Sequence, residues 1–259
     1  MLGRLMKYEF KATGRIFLPL FAALLIILLV TSLFAGSGFT AFTAISFSIT
    51  MLVSFATGVA MIIITLQRFY RNLLGSEGYL MFTLPVSIDA LILSKLIVTT
   101  VWFLLYAVIG QVIIFVSFRS IFNSMETGMF DITAIYQGIF QHIPYIEIIL
   151  YVIAAIFAIM LMIYASMSIG MLANRNRGLA SFGAFIGIWI LMQIISTIFI
   201  TVLGTALGGF DNIPALFYSI EDYPALDVAL FFGIVGQLVV GIIFYGVTRY
   251  LLMNKLNLE

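Results

Sequence analysis

Cysteine is absent from this 259-residue chain, and charge is scarce: Lys, Arg, Asp and Glu together make up 9% of it. Without cysteine there is no disulfide, no thiolate metal site and no cysteine nucleophile. The one histidine, His142, has no Cys, Asp or Glu at ligand spacing, so the sequence offers no metal site. Soluble domains carry about 25% charged residues. A mean hydropathy of +1.21 with 63% hydrophobic residues therefore describes an integral membrane protein. The long apolar runs do not alternate with polar residues, which excludes a membrane β-barrel and leaves helices.

Motifs are missing too. No G-x-x-x-x-G-K-[ST] loop is present to cradle nucleotide phosphates, and neither H-E-x-x-H nor G-x-S-x-G occurs. Every carboxylate lies in a loop or near a span end, so no pair of acids faces across the spans for intramembrane hydrolysis. Nor is there a midplane ionisable group of the kind that couples protons or sodium to transport. Uphill movement would have to draw its energy from another chain. The net charge of +1 gives no case for a nucleic-acid partner.

What is there is a series of apolar runs. Ile16 to Gly36 is 21 residues without a charge, enough for one span and too long for a cleavable signal. Thr40 to Gln67 is a second run, closed by Arg68-Phe69-Tyr70-Arg71. Leu96 to Phe118, with Lys95 at its mouth, is the third, and Ile148 to Ala173 the fourth, closed by Asn174-Arg175-Asn176-Arg177. Gly178 to Phe210 is uncharged for 33 residues. As one helix it would reach about 50 Å against a ~30 Å core, so a break at Gly204, Gly208 or Gly209 is expected. The stretch 205–226 would then form short helices dipping into the outer leaflet, and Val228 to Thr248 is the sixth span.

With the N-terminus inside, eleven of the twelve Lys and Arg residues fall on the cytoplasmic side, leaving only Arg119 outside. The expectation is a single all-α membrane domain over residues 1–259, with six spans and both termini cytoplasmic. Ahead of the first span, Arg4, Lys7, Lys11 and Arg15 form one helical stripe, with Leu2, Leu5, Met6 and Phe10 opposite. This predicts a separate interfacial helix over residues 1–15, apolar face in the leaflet and cations among lipid headgroups. Glu9 falls in the apolar arc; either Arg68 or Arg71 pairs with it, or it lies at a fraying edge in water.

Two spans carry polar stripes. Thr43, Ser46, Thr50, Ser54 and Thr57 share an arc of about 80° at ~100° per residue, with Phe39 and Met61 on it. Gln193, Thr197 and Thr201 lie together on the fifth span. Such stripes either wall an amphipathic substrate path or glue helices together, since small and hydroxyl residues are enriched where spans meet closely. Tyr145, Tyr151, Tyr218, Tyr223 and Tyr250 sit near span ends as interfacial anchors.

The most distinctive stretch is Arg71 to Ser87, RNLLGSEGYLMFTLPVS, a short water-facing segment between the second and third runs. Gly75 and Gly78 permit sharp turns. Glu77 offers a charge to a basic groove, Tyr79, Leu80, Met81 and Phe82 form an apolar knob, and Pro85 stops or starts a helix.

EGYLMFTLPVS (Glu77 to Ser87) followed by LILSKLIVTTVW (Leu91 to Trp102) resembles the cytoplasmic coupling region of type-2 ATP-binding-cassette permeases of Gram-positive bacteria. LMKYEFKATGRIFLPL (Leu5 to Leu20) is similar to the connecting helix and first span of that family, although Ile88 and Asp89 stand where a more polar or basic pair is common. The resemblance implies a permease subunit in the bacterial cell membrane that forms a homodimer or pseudo-symmetric heterodimer. It implies docking on separate ATPase subunits, which hold the ATP and Mg, through Arg71, Glu77, Gly78, Tyr79, Leu80, Phe82 and Pro85. It also implies export, commonly of lipids, glycans, drugs or amphipathic peptides, with a membrane-active peptide the leading substrate expectation. The alternative is a non-transporting membrane immunity or sensor protein.

Overall fold

The computed structural model describes residues 2–34, 40–74, 87–124, 145–173, 176–206 and 224–254. They form six long helices: α1 (Leu2–Phe34), α2 (Thr40–Phe69), α3 (Ile88–Ser124), α4 (Tyr145–Gly170), α5 (Arg177–Ala206) and α6 (Pro224–Asn254). A short π-helical turn, Tyr70–Leu74, continues α2. Each of the six is long and apolar enough to cross a membrane, and no strand occurs among the described residues. The protein is a multi-pass, all-helical membrane protein, in which each span satisfies its backbone hydrogen bonds internally.

The helices fall into two compact units. The first holds α1, α2 as far as Arg68, and α3 from Ala90; the second holds Phe69 to Asp89 with α4, α5 and α6. In the first unit Phe17, Phe21, Leu24 and Leu28 of α1 bury against Met61 of α2 and Val98, Trp102 and Ile113 of α3. Trp102 is the centre of an aromatic cage: its ring meets Phe17 edge-on at 5.5 Å, with Phe10 at 6.0 Å and Phe21 at 5.9 Å. Its indole Nε1 donates to Thr13 Oγ1 at 2.8 Å, which satisfies the one polar atom of a buried ring.

The N-terminal residues are not a separate interfacial helix. α1 runs unbroken for 33 residues, and its first turns put Met6 and Phe10 on the unit's own core. The physical reason is Trp102: the apolar face that was expected to seek lipid finds an aromatic surface in the same chain. The cations are left on the outer face, where Arg4, Lys7, Lys11 and Arg15 are exposed. The same face continues with exposed Leu18, Leu25, Ile26, Leu29 and Leu33. That change from cationic to apolar is the pattern of a helix passing from headgroups into hydrocarbon.

In the second unit α4 is central, lying against both α5 and α6. Gly170 closes α4 where a Cβ would collide with the backbone of Ser181, so α4 and α5 cross there at near-contact distance. The chain turns through Asn176, whose φ of 58° is left-handed, a conformation Asn tolerates better than most residues. Asn176 then caps α5 by accepting the Ala180 N–H at 3.1 Å. Tyr151, expected as an interfacial anchor, instead covers Gly233 of α6, while Tyr145 and Tyr250 are exposed.

Boundaries shift as well. α3 begins at Ile88, well before Leu96, because Ser87 stands at the N-cap position and Asp89 places an acid in the first turn. Lys95 therefore lies inside a helix. α5 is helical to Ala206; the expected short helices up to residue 226 fall largely outside the described residues.

Candidate functional site

Of the seven residues expected to couple to a partner, Arg71 is described: it lies exposed in the π-helical turn that prolongs α2. Glu77, Gly78, Tyr79, Leu80, Phe82 and Pro85 lie outside the described residues. What the structure defines is how the two ends of that segment are held.

Glu9 is the hub on one side. Its Oε2 accepts from Arg68 Nη2 at 2.7 Å and its Oε1 from Lys95 Nζ at 2.5 Å, so one carboxylate holds the last cation of α2 and the first of α3. Lys95 is 6% exposed and Glu9 15%. At that burial the pair is screened little by solvent, and removing one member of such a pair costs about 3–5 kcal/mol because a charge is left without compensation. Arg68 was one of the partners expected for Glu9. Lys95 was missed, although the sequence held the signal: Glu9 is the first acid in the chain and the next is Glu77. A lysine within an apolar helix needs an acid, and few were on offer.

Within the second unit Asp89 is a hub of its own. Its Oδ1 accepts from Tyr245 Oη at 2.5 Å and from Arg249 Nε at 2.8 Å, two residues one turn apart on α6. This pair is more open, at 47% for Arg249 and 35% for Asp89, and is worth about 0–1 kcal/mol as an ion pair. At the end of α2, Phe69 stacks on Tyr164 of α4 with centroids 3.9 Å apart and planes 7° from parallel. Neither the stack nor the role of Asp89 was visible in spacing, because each joins residues far apart in the chain.

The first polar stripe is brought into the core of its unit. Thr50 is fully buried and Thr57 nearly so, on the same arc as buried Met61. Thr50 Oγ1 lies 2.8 Å from Thr31 Oγ1 of α1 and 2.8 Å from the Ser46 carbonyl. Thr57 bonds the Val53 carbonyl at 2.8 Å. Ser54 lends its carbonyl to Tyr106 Oη at 2.8 Å, and Ser46 is half-buried. Thr43 is part of α2. For Thr50 and Thr57 this is the geometry of helix packing: the arc that carries the hydroxyls is the arc that carries the core.

The second stripe is different. Gln193, Thr197 and Thr201 are all exposed, on a helix none of whose residues in its most apolar window is buried. Thr197 and Thr201 donate to the carbonyls of Gln193 and Thr197, each at 2.8 Å, which satisfies their protons within α5. No group of three His, Cys, Asp or Glu forms among the described residues.

Comparison with protein-family models, with curated proteins and with solved structures finds no match to this chain.

Proposed function

We propose that this chain is the membrane subunit of an ATP-driven exporter, working as a homodimer or pseudo-symmetric heterodimer in the bacterial cell membrane with both termini cytoplasmic. A separate ATP-binding-cassette subunit holds ATP and Mg and docks on residues 71–87. The observation that carries this reading is the anchoring of both ends of that segment. Arg68 and Lys95 meet on Glu9, Asp89 meets Arg249 and Tyr245, and Phe69 stacks on Tyr164. A segment so held transmits a push into the spans, whereas a loop without a partner has no need of fixed ends.

The substrate is amphipathic or hydrophobic, a membrane-active peptide being the leading case, because the available polar face is amide and hydroxyl and carries no charge. That face is Gln193, Thr197 and Thr201 on α5, and in a two-fold assembly the shared route runs between copies.

The test is affinity purification of the chain from membranes in mild detergent. A nucleotide-binding subunit should come with it, and Glu77→Lys should lose that subunit while still inserting. Recovery of this chain with a non-ATPase partner instead would favour an immunity or sensor role.

A further inference from the structure

Glu9 has a position that packing alone does not require. Among the described residues of the first unit it is the only acid, against Arg4, Lys7, Lys11, Arg15, Arg68, Lys95 and Arg119. Each of its carboxylate oxygens accepts from one of the two cations that bracket residues 71–87. Arg68 and Lys95 are 27 positions apart in sequence, yet they meet on one group. The same helix is joined to α3 one turn further on, where Thr13 accepts from Trp102 and its own hydroxyl donates to the Glu9 carbonyl at 2.7 Å. The backbone of Glu9 is thus fixed by the turn that its side chain serves.

We infer that Glu9 is a positioning residue, a latch that ties the ends of α2 and α3 to α1, so that α1 is the first span to follow when those ends move. This rests on reading residues 71–87 as the coupling segment for its use, but not for its existence. Arg68 or Lys95 can part from α1 only by breaking a charge pair in partly dry surroundings, where such pairs are strong. Each of the two pairs therefore ties its own helix end to α1. While it holds, the two helix ends move with α1 as one body. Breaking it separates a buried lysine from its carboxylate, at a cost in free energy.

Hydrogen–deuterium exchange on the full chain in lipid nanodiscs tests this. In Glu9→Gln the amides of residues 64–68 and 90–96 should both exchange about tenfold faster, while those of residues 17–28 stay as in the native chain. Arg68→Gln should free residues 64–68 alone and Lys95→Gln residues 90–96 alone. Glu9→Lys should loosen both ends, and the exchange Glu9→Lys with Lys95→Glu should restore protection at residues 90–96 alone, since a cation at position 9 still faces Arg68. Unchanged ends in Glu9→Gln would overturn the latch, and so would a uniform rise through residues 17–28, which marks a merely structural contact. None of these outcomes depends on whether an ATPase co-purifies, so failure of the latch and failure of the transport reading are told apart.

Discussion

Thr31 of α1 and Thr50 of α2 face each other across a buried contact, hydroxyl to hydroxyl at 2.8 Å. Each is also within reach of a carbonyl one turn back on its own helix, Ile27 at 2.9 Å and Ser46 at 2.8 Å. Two protons are shared among three contacts, so two bonds form at once: one hydroxyl donates across the helices while the other back-bonds its own turn.

That arrangement predicts a double-mutant cycle. Thr50→Val keeps the volume and removes the bond between the helices, leaving the Thr31 hydroxyl on the Ile27 carbonyl, and should cost about 0.5–1.5 kcal/mol. Thr31→Val with Thr50→Val removes both partners and should cost less than the sum of the singles. Thermal unfolding in detergent reads both, and additive losses would mean that the contact carries no coupling. Thr50→Leu should also lower stability, by about 1–3 kcal/mol through overpacking. A substrate path lined by Thr50 would instead lose transport with stability intact.

Two glycines separate backbone from side-chain crowding. A Cβ at Gly58 would sit 2.8 Å from Tyr106 Oη, whereas one at Gly170 would meet the Ser181 backbone. Gly58→Ala should cost about 1–3 kcal/mol and be partly relieved by Tyr106→Phe. Gly170→Ala should cost more and respond to no side-chain change, since the two helices must move apart. Equal losses at the two sites, read by thermal unfolding, would contradict this account.

The exposed face of α5 predicts a pattern of cross-links between copies. Single cysteines at Gln193 or Thr197 should form disulfides between chains under mild oxidation in membranes, in a protein that has no cysteine of its own. A cysteine at Ile195, exposed on the opposite side of the helix, should not. Cross-linking at Ile195 alone would place the second copy on the other face.

Orientation is open to the same chemistry. Cysteines at Asn123 and Asn212 should react with impermeant thiol reagents from outside intact cells, and one at Asn176 should not. Labelling at Asn176 would invert the topology.

The spans were legible in the sequence because a bilayer imposes length and hydropathy, and both are local properties. Less legible was which way a helix faces. The arc holding Thr50, Thr57 and Met61 reads equally well as path wall or core edge; that it packs against α1 shows only in the burial of Met61 and the bond to Thr31. Residues 2–15 show the same limit. Their amphipathic pattern is plain, but whether the apolar face meets lipid or Trp102 depends on a residue about 90 positions away. Glu9 was the most instructive case, since its misfit in an apolar arc announced a partner and its scarcity as an acid pointed to more than one.

The central claim is that residues 71–87 deliver the work of an ATPase, and site-specific photo-cross-linking tests it most directly. A photoreactive amino acid at Tyr79, at Leu80 or, as a control, at exposed Leu29 of α1 would be irradiated in native membranes and the adduct identified by mass spectrometry. The account predicts an adduct with a protein bearing a phosphate-binding G-x-x-x-x-G-K-[ST] loop from Tyr79 and Leu80, and none from Leu29. Adducts from Tyr79 and Leu80 only with lipid, or with a protein that lacks that loop, would contradict it.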